Sequence, residues 1–132
     1  MKNFGRLEFL YLVNSVLLFV HEEDSAYWNE WILFGLPGGI QFFLIMDIIL
    51  ISVGLIGFRC VILKRRSGLW FSLIQAGCGV LAFLLHGVFI LKGHPEFTLP
   101  MSELLLVLIL VISAAQAIVA LNELRQQPAS AA

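Results

Sequence analysis

Charge is what this sequence has least of. Its 132 residues carry eight Lys or Arg and nine Asp or Glu, 13% charged in all. A soluble domain carries roughly 25%. With 60% hydrophobic residues and a mean hydropathy of +0.95, there is too little polar surface to cover a globule in water, so lipid is the expected solvent. The formal net charge of −1 leaves no electrostatic footprint for nucleic acid, and no nucleic-acid partner is expected. Cysteine is scarce too. Cys60 and Cys78 fall in apolar surroundings and read as small packing residues, with no disulfide expected if both face the cytoplasm. The sequence also lacks His-Glu-x-x-His and Cys-x-x-Cys, and no two histidines stand four apart. No strong catalytic or metal motif is therefore present. No small-x-small site closes the first apolar run, so that run is expected to be a retained span and not a cleaved leader.

Four apolar segments remain, at about Phe4–Val20, Gly39–Leu63, Leu69–Leu91 and Pro100–Leu121. A spanning helix needs about 20 apolar residues. The last three segments suffice; the first is short unless its helix continues. The expected fold is all-α, a single integral membrane four-helix bundle over residues 1–132, with residues 122–132 as a tail. Lys2, Arg6, Arg59, Lys64, Arg65, Arg66 and Arg125 gather at one end of such a bundle, while the first connection, His21 to Gly38, has no Lys or Arg. The positive-inside rule then puts both termini in the cytoplasm, with the bacterial inner membrane as the expected location.

The first connection holds the polar knot His21-Glu22-Glu23-Asp24-Ser25-Ala26-Tyr27-Trp28-Asn29-Glu30-Trp31. From His21 to Phe34 there is neither Gly nor Pro. A helix is expected there, extending the first span or lying in the interface, where Trp and Tyr are favoured. Phe34-Gly35-Leu36-Pro37-Gly38-Gly39 is the clear break.

Ionisable residues inside a span are costly and are functional candidates by default. Asp47 lies about 12 Å along the second span from its outer end, and His86 about 9 Å from the outer end of the third, at 1.5 Å per residue. Asn14, His21 and Glu103 complete an outer-half set, while Gln75 and Gln116 are expected deeper. If these faces meet, they form an outward-facing polar pocket with two imidazoles and several carboxylates. Zinc, iron or manganese accepts such donors, and a catalytic metal lowers the pKa of its bound water. The candidate ligands are His21, Asp47 and His86. Glu22 or Asp24 is the candidate general base. Asn14, Glu30, Trp31 and Glu103 would line the pocket. The same polar residues can equally form a satisfied network that fixes the bundle.

His21-Glu22, Asp24, Glu30-Trp31, Phe34 and Leu36-Pro37-Gly38-Gly39-Ile40-Gln41 resemble a small, uncharacterised four-span bacterial membrane protein family with a His-Glu-x-Asp…Glu-Trp…Leu-Pro-Gly-Gly pattern. The likeness covers under a third of the chain. More loosely, the chain is similar to small membrane proteins with a His-x-x-Glu-Glu motif, from whose spacing it departs at Glu23 and Asp24. Neither resemblance implies an activity; both give weight to His21, Glu22, Asp24, Glu30 and Trp31 as a unit.

Three functions follow from these residues. The first is metal-assisted hydrolysis or modification of a membrane lipid. The second is a non-enzymatic accessory or assembly role, with another membrane protein or a second copy packing on small-residue faces such as Gly54/Gly57 and Gly77/Gly79. The third is a proton-coupled transporter using Asp47 and Glu8.

Overall fold

In the computed structural model, residues 4–126 are described. They form four long helices and one short one: α1 (Phe4–Tyr27), α2 (Glu30–Leu33), α3 (Gly39–Ile62), α4 (Arg66–Leu91) and α5 (Pro100–Gln126). No strand occurs among the described residues. The four long helices are each long and apolar enough to cross a membrane, and the protein is an integral, four-span, all-helical bundle. Lys2 and residues 127–132, which bear on the N-terminal charge and the tail, lie outside the described residues. Residues 122–126, assigned above to the tail, belong to α5.

The polar knot is mostly a direct continuation of the first span. α1 passes through His21 without interruption and ends at Tyr27. The expected unbroken helix to Phe34 is interrupted at Asn29, whose φ is +54°. Asn tolerates this left-handed conformation better than other residues with a Cβ. The turn is closed by Asn29 N–H donating to Ala26 O at 3.2 Å and by Ile32 N–H donating to Asn29 O at 2.8 Å. α2 follows, and Gly38, at φ +91°, turns the chain into α3. Pro100 opens α5, where its missing N–H has no helical partner to lose.

α5 packs closely against both α4 and α1. α3 lies against α1 and α4 and makes no contact with α5. Its outer face, including Ile45, Ile48, Ile49, Leu55 and Ile56, is exposed, as a lipid-facing surface should be. Three glycines explain the close approaches. A Cβ at Gly57 would strike the Tyr11 hydroxyl and Phe71; one at Gly68 would meet the backbone of Cys60 and Val61; one at Gly79 would strike Ser113 Oγ. Phe4, Leu7, Tyr11, Val61, Leu69 and Ala120 form the apolar core at the end of the bundle that carries the basic turn.

Midway along the bundle the core becomes polar. Asn14 Nδ2 donates to Gln116 Oε1 at 2.7 Å and to Ser113 Oγ at 3.1 Å. Gln116 Nε2 donates to Gln75 Oε1 at 2.9 Å and to Ser72 O at 3.1 Å, and Gln75 Nε2 donates to Ser15 Oγ at 2.7 Å. In a medium without water, such a network satisfies its own members and fixes how α1, α4 and α5 are rotated. Asn14, expected beside the histidines, therefore belongs with Gln75 and Gln116.

Candidate functional site: an imidazole–carboxylate cluster at the head of a lateral cleft

His21 and His86 meet edge to face, with ring centroids 4.7 Å apart. They are 3% and 1% exposed. α1 delivers His21 from its last two turns, and α4 delivers His86 from near its end. Phe97 covers the pair, its ring 4.1 Å from that of His86 and 6.0 Å from that of His21.

His86 Nδ1 lies 2.7 Å from Ala82 O. A carbonyl oxygen only accepts, so Nδ1 carries the proton. This leaves Nε2 facing Glu30 Oε1 at 3.4 Å, without the geometry of a hydrogen bond. Either Nε2 is also protonated, giving an imidazolium–carboxylate pair, or a donor must come from elsewhere. His21 Nδ1 is likewise buried with no partner among the described residues. Glu30 sits in α2, outside the spans. Burial pushes its carboxyl upward, but the neighbouring His86 and Ser25, together with the His21 imidazole, outweigh that and hold it below its ordinary value.

Glu22 and Asp47 bring their carboxyls within hydrogen-bonding reach of each other. Two like charges in contact repel, so this pair requires a proton or a cation between them. The expected ligand set is thus arranged differently from the sequence reading. His21 and His86 come together with Glu30, while Asp47 faces Glu22. Among the described residues, no three His, Cys, Asp or Glu side chains are grouped so as to hold a metal ion.

The remaining candidates lie apart. Asp24 Oδ1 accepts from Ser102 Oγ at 3.0 Å, which ties α1 to the start of α5. Trp31 packs on Phe43, centroids 5.5 Å apart. Glu103 is exposed at the start of α5.

Beside the cluster runs a cleft of about 300 Å³ between α1, α3 and α4. His21, Glu22, Glu30 and His86 form its polar head. Leu18, Phe19, Leu50, Ile51, Ile74 and Leu81 are among its apolar walls, and Tyr11 and Gln75 mark the far end. On α1 the distance from Glu22 to Tyr11 is about 16 Å at the helical rise. Leu50, Val53, Ile74, Leu81 and Leu85 are wall residues that are also exposed, so the cleft opens sideways on the lipid-facing surface. The sequence suggested a polar pocket; the cavity at these residues is apolar along most of its length. Cys78, expected as a packing residue, is exposed and lines the cleft.

The sequence profile of the family of unknown function DUF6713 matches residues 7–123. The chain belongs to this family. The match runs from the first turn of α1 to the last turn of α5, so the cluster and the cleft both lie within the DUF6713 region. No curated protein and no solved structure matches this DUF6713 chain.

Sequence reasoning missed Phe97, and it read Cys78 only as a packing residue. Phe97 stands in the Glu96-Phe97-Thr98 stretch between two helices, and nothing in its neighbours marks it as buried. Its positive φ of +64° has no signature in an aromatic residue.

Proposed function

We propose that this protein binds a lipid-like molecule from within the bilayer, its polar end at the His21–Glu22–Glu30–His86 cluster and its apolar part in the cleft. One observation carries the reading: buried polar atoms without partners form one end of an apolar cleft that opens sideways among exposed leucines and isoleucines. Small-molecule sites have this character, being mostly apolar with a few convergent polar groups. By the positive-inside rule the Lys64-Arg65-Arg66 turn faces the cytoplasm of a bacterial inner membrane. The cluster, at the opposite end, then faces outward, and both termini are cytoplasmic.

Thermal unfolding of delipidated protein tests this. A ligand that binds only the folded state stabilises it by about 2.7 kcal/mol at a hundredfold excess over Kd. Monoacyl amphiphiles should raise the Tm of the wild type and leave that of Ile51→Trp, which fills the cleft, unchanged. An equal response in both would contradict the reading.

A second reading keeps the divalent metal. The His86 Nδ1–Ala82 O bond is the outer-shell contact that orients a metal-binding imidazole, and it leaves Nε2 toward Glu30 and His21. Zinc, iron or manganese held there by His21, His86 and Glu30, after rotation of their side chains, would support lipid hydrolysis or modification, with Glu22 as base. Asp24, bonded to Ser102, is the less suited base. Metal content of purified protein, beside His21→Ala and His86→Ala, tests it: near-stoichiometric metal lost in both variants supports it, and none after supplementation removes it. An accessory role with a protein partner or a second copy, and proton-coupled transport through Asp47, have no comparable observation in their favour.

A further inference from the structure

The head of the cleft is built almost wholly of hydrogen-bond acceptors. Glu22 and Glu30 line it, and Asp47 backs Glu22. His86 commits its Nδ1 proton to Ala82 O, so in its neutral form the ring offers Nε2 as a lone pair. His21, 3% exposed, lines the cleft with a buried and unpartnered Nδ1. No Lys or Arg lines the cleft. Buried acceptors short of donors are costly. The basic groups at this head are the two imidazoles, with His86 Nε2 3.4 Å from Glu30, and the Glu22–Asp47 contact needs a proton or a cation. A ligand ammonium brings donors and positive charge to these carboxylates together.

We infer, on the reading that the cleft holds an amphiphile, that its ligand is a single-chain amine, with the ammonium at the cluster and the chain along the cleft. An ammonium has three N–H donors and no acceptor, matching Glu22, Glu30 and the Nε2 lone pair of His86. A phosphate or carboxylate head would bring further acceptors and the same sign of charge. An uncharged alcohol supplies one donor and no charge. The size agrees, since about 300 Å³ stands at the lower end of small-molecule sites and suits one chain. The sideways opening admits that chain from the bilayer while its amine stays at the level of the cluster.

Two cysteines give an internal measurement. Cys78 lines the cleft and Cys60 does not. The ratio of Cys78 to Cys60 alkylation by a membrane-permeant maleimide therefore reads occupancy of the cleft, independent of bulk reagent. Protein in discs of zwitterionic lipid would be challenged with hexadecylamine, hexadecanol, hexadecanoate or zinc ion alone. A hydrogen bond to a charged group is worth about tenfold or more in affinity, so the amine should protect Cys78 at least about tenfold more strongly than the alcohol. Hexadecanoate should protect least. Glu30→Gln should bring the amine close to the level of the alcohol, and Glu22→Gln serves if that variant does not fold. Equal protection by all three chains would overturn the amine while leaving the cleft as an amphiphile site. Protection by none would overturn both. Protection by zinc as strong as that by the amine would assign the cluster to a metal ion and overturn the amine.

Discussion

Phe97 is held at φ +64° and is fully buried. A bulky residue in the left-handed region costs of order 1–3 kcal/mol and persists only where its surroundings fix it. The surroundings here are His21, His86 and Trp28. Phe97→Ala should cost about 3 kcal/mol, seen as an earlier midpoint in detergent-induced unfolding; no loss would mean that the ring does not hold the pair. Glu30 gives a pH dependence. Its carboxyl is held below its ordinary value, whereas in the unfolded chain it titrates near about 4.3. The stability it contributes is fully present above that unfolded value and is lost as pH falls through the lower, folded one. Thermal unfolding from neutral to acid pH should show this loss in the wild type and a flatter profile in Glu30→Gln. Neither feature was visible in the sequence. A positive φ leaves no mark in an aromatic residue, and the partner of Glu30 depends on a turn at Asn29 that no Gly or Pro announces.

Among the elements, the spans were legible because apolar length is a one-dimensional property that the bilayer thickness reads directly. Their rotation was not, because it depends on which faces pack. The glycines show the difference. Gly54, Gly57, Gly77 and Gly79 look alike in sequence, yet a Cβ at Gly57 or Gly79 would strike a neighbouring helix and one at Gly77 would meet nothing. Gly57→Ala and Gly79→Ala should each cost about 1–3 kcal/mol by overpacking, with Gly77→Ala neutral or slightly stabilising. Unfolding midpoints of the three variants check this, and similar values for all would contradict the packing described. Asn14 illustrates the same limit. Its depth placed it near His21, but rotation of α1 carries it into the Ser113–Gln116–Gln75 network. Asn14→Ala should cost about 1 kcal/mol, since Gln116 Oε1 loses its donor.

At the scale of the whole molecule, α1 and α4 are flanked by α5 on one side and α3 on the other. α1, α4 and α5 are joined by apolar packing at one end, amide bonds midway, and the Asp24–Ser102 contact toward the other end. α3 lies across α1 and α4 from α5, held to α1 by the Tyr11 hydroxyl donating to Gly54 O at 3.0 Å, to α4 by Phe71 against Gly57 and by Gly68 against the Cys60–Val61 backbone, and contributing Val61 to the core. The cleft is the space that this arrangement leaves, and the polar knot of α1 and α2 caps one end of it. That the knot is polar could be read from composition; that it crowns an apolar cleft could not, because the cleft belongs to no single segment. The central claim is that cluster and cleft are one binding site. Native mass spectrometry of the protein released from gentle detergent tests it most directly. The account predicts one amphiphile retained per chain in the wild type, lost in Ile51→Trp, and retained in Glu103→Gln, which lies outside the site. A wild type that carries none, or an Ile51→Trp variant that carries as much, would contradict it.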